Sequence, residues 1–150
     1  YSIGKPNKNR ILCVKNSFHG RTIAAIFASG SKKMTEGFGP KVPGLRVEAL
    51  TSNQGVLTCL SNDIGYETVF SRQIEGIGNE GDLLVAISTS GNSENVIRAV
   101  IAAREKSITS VSLTGNNGGK LAKISDVDIC IPSKNTQLIQ EGHLLAEHIL

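Results

Sequence analysis

Apolar residues fall in short, dense runs separated by stretches rich in glycine, serine, threonine and asparagine. Ile11-Leu12-Cys13-Val14 is a β-rich run ended by Lys15-Asn16-Ser17, which predicts a buried strand leading into a loop. Residues 22–28 suit a helix or a second strand, and residues 29–44, with four glycines and two prolines, read as a loop. Strand signals return at Leu45–Leu50. From Val56 to Ile77, Leu57, Leu60 and Ile64, then Val69, Phe70, Gln73, Ile74 and Ile77, keep helical spacing with a break near Asp63-Ile64-Gly65, so two helices are expected. The run from Asp82 to Ile87 is apolar on both faces, as strands of a covered parallel sheet are. A loop over Ser88–Ser93 then precedes an amphipathic helix, Glu94–Lys106, whose Val96, Ile97, Val100, Ile101 and Ala103 should face inward. Further strands are expected at Ser110–Thr114 and Val127–Ile131, a short helix at Lys120–Ile124, and a final helix from Leu138. Regular alternation of strand and helix predicts an α/β fold, a parallel sheet covered on both faces with right-handed crossovers.

At 150 residues and 15.9 kDa the chain suits one domain with a real core, residues 1–150. No apolar run approaches the roughly 20 residues of a membrane span, so no membrane partner is expected. The opening Tyr1-Ser2-Ile3-Gly4-Lys5-Pro6 has no apolar stretch of signal-peptide length, and a cytoplasmic setting is the expectation. Cys13, Cys59 and Cys130 are odd in number and far apart, which predicts buried reduced thiols rather than disulfides or a zinc site. The net charge of +3 divides unevenly: residues 1–44 carry eight basic residues against one acidic, residues 45–150 eight against twelve. The basic stretch flanks glycine and proline and has few aromatics, so it reads as a solvated loop surface and not as a nucleic-acid footprint.

The sharpest chemical signal is Ser88-Thr89-Ser90-Gly91-Asn92-Ser93, between a buried strand and a helix. A single serine there would read as an N-cap. Four hydroxyls and a glycine at a helix N-terminus offer donors, backbone N–H groups and a positive dipole end to a phosphate. Open α/β sheets bind ligands at this end of their strands.

Residues 45–150, about 70% of the chain, resemble the sugar isomerase (SIS) domain of phosphoheptose isomerases. The strings that carry the likeness are Ser61-Asn62-Asp63-Ile64-Gly65-Tyr66-Glu67, Val69-Phe70-Ser71-Arg72-Gln73, Gly81-Asp82, Ile87 to Ser93 with Asn95-Val96-Ile97, Leu113-Thr114-Gly115 with Gly118-Gly119-Lys120-Leu121, and Ile139-Gln140-Glu141 with His143 and His148. The resemblance implies a three-layer, flavodoxin-like or Rossmann-like sandwich and a homo-oligomer with sites between subunits. It also implies ketose–aldose isomerisation of sedoheptulose 7-phosphate in surface-polysaccharide heptose synthesis. By position, Ser88, Thr89, Ser90 and Ser93 would hold the phosphate, Asn53 and Gln140 would contact substrate, and His148 would be the acid or base. Gln140 and His148 match two of the family's zinc ligands. Eight residues on one ideal helix rise about 12 Å, too far for one ion unless the helix begins after Gln140 or two subunits share the site. Where the family places a Gly-Asn-Gly-Gly-Ser loop and a helix with a histidine and a glutamate, this chain has Lys15-Asn16-Ser17-Phe18-His19-Gly20-Arg21-Thr22, so the metal and acid–base sets are incomplete. Asn53 and Gly55 stand where the isomerases usually have Asp and Ser, and an amide cannot serve as a carboxylate base.

Residues 1–44 resemble a fragment of class-III, acetylornithine-type aminotransferases, through residues 15–22 and Glu36-Gly37-Phe38-Gly39-Pro40 with Pro43-Gly44. Phe18 would be the residue that stacks on pyridoxal phosphate. No Schiff-base lysine context or acidic partner accompanies it, so pyridoxal phosphate is not expected. The changes of family and charge coincide near Gly44, which suggests a chimera or fusion whose foreign segment supplies the N-terminal strand. The alternatives to an isomerase are a non-catalytic phosphosugar-binding or assembly module, and a chimera without selected activity.

Overall fold

The computed structural model describes residues 11–12 and 47–149. Among the described residues four parallel strands, β1 (Ile11–Leu12), β2 (Leu83–Ser88), β3 (Thr109–Gly115) and β4 (Val127–Ile131), form one sheet in the order β1-β2-β3-β4. Leu83 pairs with Thr109 and Ser88 with Thr114, while Val111 pairs with Val127, so the carboxyl ends of β2, β3 and β4 lie along one edge. Ile11 and Leu12 pair with Leu83 and Leu84, so the N-terminal segment does supply a strand at the sheet edge.

Helices cover the sheet on both sides. Leu84 and Ala86 point to α3 (Glu94–Glu105) and join Ile97, Val100 and Ala103 in a core that includes Ile74, Ile108 and Leu121. Helix α2 (Ser71–Ile77) packs outside α3, and α1 (Gln54–Asp63) leads into it through a 3-10 turn at Tyr66–Thr68. The short α4 (Leu121–Ile124) follows β3. On the opposite face α5 (Thr136–Ile149) packs on β3 and β4 through buried Ile139 and His143. The result is the three-layer α/β arrangement that the alternating pattern predicts.

Three expectations are corrected. Ile101 does not face inward: it is 46% exposed, whereas Ala99 and Ala102 are buried. Because α3 packs against α2 as well as the sheet, its covered arc turns toward these small residues and leaves Ile101 outside. The strand expected at Leu45–Leu50 is not formed by its described part, 47–50, which is extended without a ladder and enters a turn at Leu50. There Ser52 donates its N–H and hydroxyl to Ala49 O (3.0 and 2.8 Å), and Gln73 Nε2 donates to Leu50 O (2.9 Å), so side chains and the turn take the groups that a neighbouring strand would have used. The two described cysteines are not buried: Cys59 is exposed because α1 buries none of its residues, and Cys130, on the end strand β4, is half-buried, both as free thiols. The expectations for Cys13, residues 22–28 and the loop at 29–44 lie outside the described residues.

Candidate functional site

Between β2 and α3 the chain closes a tight turn, with Gly91 N–H donating to Ser88 O at 3.0 Å. Ser88 is buried, Thr89 and Ser93 are half-buried, and Ser90 is exposed. The hydroxyls converge: Ser88 Oγ lies 2.9 Å from Ser93 Oγ and 3.4 Å from Ser90 Oγ. Ser93 precedes α3 but makes no side-chain cap, so its hydroxyl turns into the loop and the simple N-cap reading fails for it. Hydroxyls and the positive helix end therefore face the same space. Glu94, in the first turn of α3, would oppose an anion there, and Arg98 offsets it by donating Nε to Glu94 Oε1 at 3.1 Å while lying 3.8 Å from Glu67.

A second loop, Asn116–Lys120, holds the first in place. Lys120 and Leu121 donate their N–H groups to Gly91 O, each at 3.0 Å, and Lys120 N–H also lies 3.1 Å from Asn92 Oδ1. Asn92 Nδ2 donates to Ser90 O at 2.8 Å, so one amide ties both loops together. The backbones touch so closely that a Cβ on Gly91 (φ +63°) would stand 2.1 Å from Gly118 O, and one on Gly119 (φ +58°) 2.7 Å from Gly91 C. Below this contact Thr114 Oγ1 donates to Asp128 at 2.9 Å, and Ser112 Oγ also donates to that carboxylate.

The hydroxyl loop opens on a cavity of about 580 Å³ lined by Ile87, Ser88, Thr89, Ser93, Gln140, His143, Leu144 and Glu147. That volume suits a small ligand. Helix α5 forms one wall. His143 is 4% exposed, and its Nε2 lies 2.8 Å from Thr114 O; a carbonyl only accepts, so Nε2 carries the hydrogen.

Of the residues expected in the site, Ser88, Thr89, Ser93 and Gln140 line this cavity, and Ser90 lies on the rim of its loop. Asn53 does not reach it: its Oδ1 accepts from Val56 N–H at 3.1 Å as the N-cap of α1. His148 is half-buried one residue beyond Glu147 and is not among the lining residues. His143 and Glu147 are in the wall as well. Helix α5 begins at Thr136, before Gln140, and runs unbroken past His148, so sharing between two copies is the remaining way for Gln140 and His148 to meet one ion. No group of three or more His, Cys, Asp or Glu side chains with metal-binding placement occurs among the described residues, and His19 lies outside them. The described donors of one copy thus do not fit zinc. Among the described residues no helix is long and apolar enough to cross a membrane.

Comparison with known proteins agrees with this geometry. The SIS domain family matches residues 24–115, starting upstream of Gly44. The phosphoheptose isomerase of Sulfurimonas denitrificans is 50% identical over 111 residues, covering 74% of this chain and 55% of that one. That of Aneurinibacillus thermoaerophilus is 50% identical over 108 residues, covering 72% and 54%. The solved structure of the Neisseria gonorrhoeae phosphoheptose isomerase superimposes with a TM-score of 0.76 at 40% identity, covering 95% of this chain and 74% of that one. The chain spans about half the length of the curated relatives it matches.

Proposed function

The chain belongs to the SIS-domain family, among the phosphoheptose isomerases, and from this we propose that it binds a sugar phosphate through residues 88–93 and acts in isomerising sedoheptulose 7-phosphate. The observation that carries the reading is the convergence of Ser88, Ser90 and Ser93 hydroxyls at the start of α3, with Ser93 turned away from capping. Among the described residues no lysine or arginine lines the cavity, so hydroxyls, backbone N–H groups and the helix dipole would meet the phosphate. Isomerisation moves a proton between adjacent carbons through an enediol, and His148 is our candidate for that transfer. Because His148 is not in its own copy's cavity wall, the proposal includes a homo-oligomer in which it serves a neighbouring copy. The same observation favours a second reading, a phosphosugar-binding module without turnover.

Calorimetric titration with sedoheptulose 7-phosphate, followed by assay of the same sample for D-glycero-D-manno-heptose 7-phosphate, separates the two. The Ser90→Ala/Ser93→Ala double variant should lose at least about tenfold in affinity, since a hydrogen bond to a charged group is worth about 1.5–3 kcal/mol. Its ligand-free melting temperature should stay close to the parent's. Unchanged affinity would discard the phosphate loop.

A further inference from the structure

The two walls of the cavity differ in charge. The loop wall offers hydrogen-bond donors and a positive helix end, whereas α5 presents Gln140, His143 and Glu147 at successive turns, an amide, an imidazole and a carboxylate. Ile139, beside Gln140, packs where Gly115 and Thr89 O meet, so the Gln140 end of this stripe adjoins the hydroxyl loop. Glu147 lies about 10 Å further along the helix axis. Among the described residues no cation or hydrogen-bond donor pairs with Glu147, whereas arginines pair with Glu94 and Glu75 on the helices that cover the other face of the sheet. An unpaired, half-buried carboxylate in a ligand cavity attracts hydroxyl hydrogens and repels a second anion.

Resting on the phosphate-loop reading above, we infer that Glu147 is a specificity-determining residue, one that accepts hydroxyls from the unphosphorylated end of a sugar monophosphate and excludes sugars with phosphate at both ends. The site is then bipolar: the loop selects an anion at one end of the ligand, and Glu147 forbids one at the other. Discrimination of this kind comes as much from the repulsive element as from the attractive one.

Calorimetry on the 150-residue chain with inorganic phosphate, sedoheptulose 7-phosphate and sedoheptulose 1,7-bisphosphate tests this. The parent protein should bind the monophosphate at least about tenfold more tightly than the bisphosphate, since like charges set face to face are costly. Glu147→Gln, which keeps the shape and removes the charge, should narrow the ratio below about threefold, mainly by tightening the bisphosphate. Glu147→Ala should also weaken the monophosphate, by about threefold or more, through loss of a hydroxyl acceptor. Inorganic phosphate should bind all three proteins alike. A parent protein that binds both sugars equally, or a Gln variant that keeps the parent's ratio, overturns the role of Glu147 while sugar-phosphate binding stands. If neither phosphate nor the monophosphate binds the parent protein, the phosphate-loop reading falls, and this inference falls with it.

Discussion

Replacing Gly91 with alanine should force apart the two loops that form the mouth of the site. The new methyl would stand 2.1 Å from Gly118 O and 3.0 Å from Gly119 N, both backbone atoms that cannot rotate aside. Gly91 has φ +63°, and the left-handed region costs an L-residue about 1–2 kcal/mol. Separating the loops also removes the two hydrogen bonds from Lys120 and Leu121 to Gly91 O, at about 1 kcal/mol each. The sum is about 3–4 kcal/mol, which for a domain of this size lowers the melting temperature by roughly 6–16 °C. Gly76 is the control: exposed in α2, with nothing within 4 Å of its added Cβ, it should become about 0.5–1 kcal/mol more stable as alanine. Thermal melts followed by circular dichroism read both signs, and phosphate titration of Gly91→Ala reads the loop. A Gly91→Ala protein that melts within about 2 °C of the parent and binds phosphate equally would refute the loop contact as the site's support.

Four further outcomes are expected. Ser107 follows α3 at φ 57°, so Ser107→Gly should stabilise by about 1 kcal/mol in urea denaturation. The Ser110 N–H and then the Ser110 hydroxyl, both 2.7 Å from Asp126 Oδ2, hold that carboxyl below its ordinary 3.8, so its contribution is complete above that value and is lost as pH falls through the lower, folded one. Asp126→Asn should therefore flatten the acid limb of a melting-temperature profile below about pH 4, and an unchanged limb would remove Asp126 from it. The hydrogen bond to Asp63 and its charge push the Cys59 thiol up, so Asp63→Asn should speed alkylation of the Cys59 peptide as read by mass spectrometry. Purified protein should hold well under one zinc per chain by elemental analysis; stoichiometric zinc would show that His19 or a second copy completes a donor set.

The strands, the loop between β2 and α3 and the helix after it were legible because each rests on local signals: apolar runs of strand length, a hydroxyl and glycine cluster, and 3.6-residue periodicity. What local signals do not carry is which distant group satisfies a carbonyl. The stretch at 47–50 has strand-like residues, yet Gln73, 23 positions on from Leu50, takes one of its carbonyls and the turn takes another. Cys59 is misread for a related reason. Its apolar neighbours suggest burial, but α1 packs too lightly on the rest of the fold to bury any residue.

The site divides in the same way. Ser88, Thr89 and Ser93 are neighbours in sequence, so their convergence needs only one turn, whereas the clamp needs Gly91 and Gly118–Gly119 to meet from two separate strand ends. Glycines at 118 and 119 mark a loop, but contacts exclude side chains there, the Gly91 and Ser90 backbone at Gly119 and the Ala122 methyl at Gly118. The α5 wall was within reach of helical arithmetic. At 100° per residue, Glu147 lies about 20° from Gln140 around the axis and His143 about 60°, so the three share a face, while His148 lies about 80° to the other side. Leu144, about 40° from Gln140 toward His148, also lines the cavity. The matched zinc-ligand positions paired Gln140 with His148, whereas the helix pairs Gln140 with His143 and Glu147. Among its described residues a single copy thus presents a cavity whose lining ionisable groups are an imidazole held by Thr114 O and an unpaired carboxylate, which is why Glu147 and not His148 should answer first to a ligand's charge.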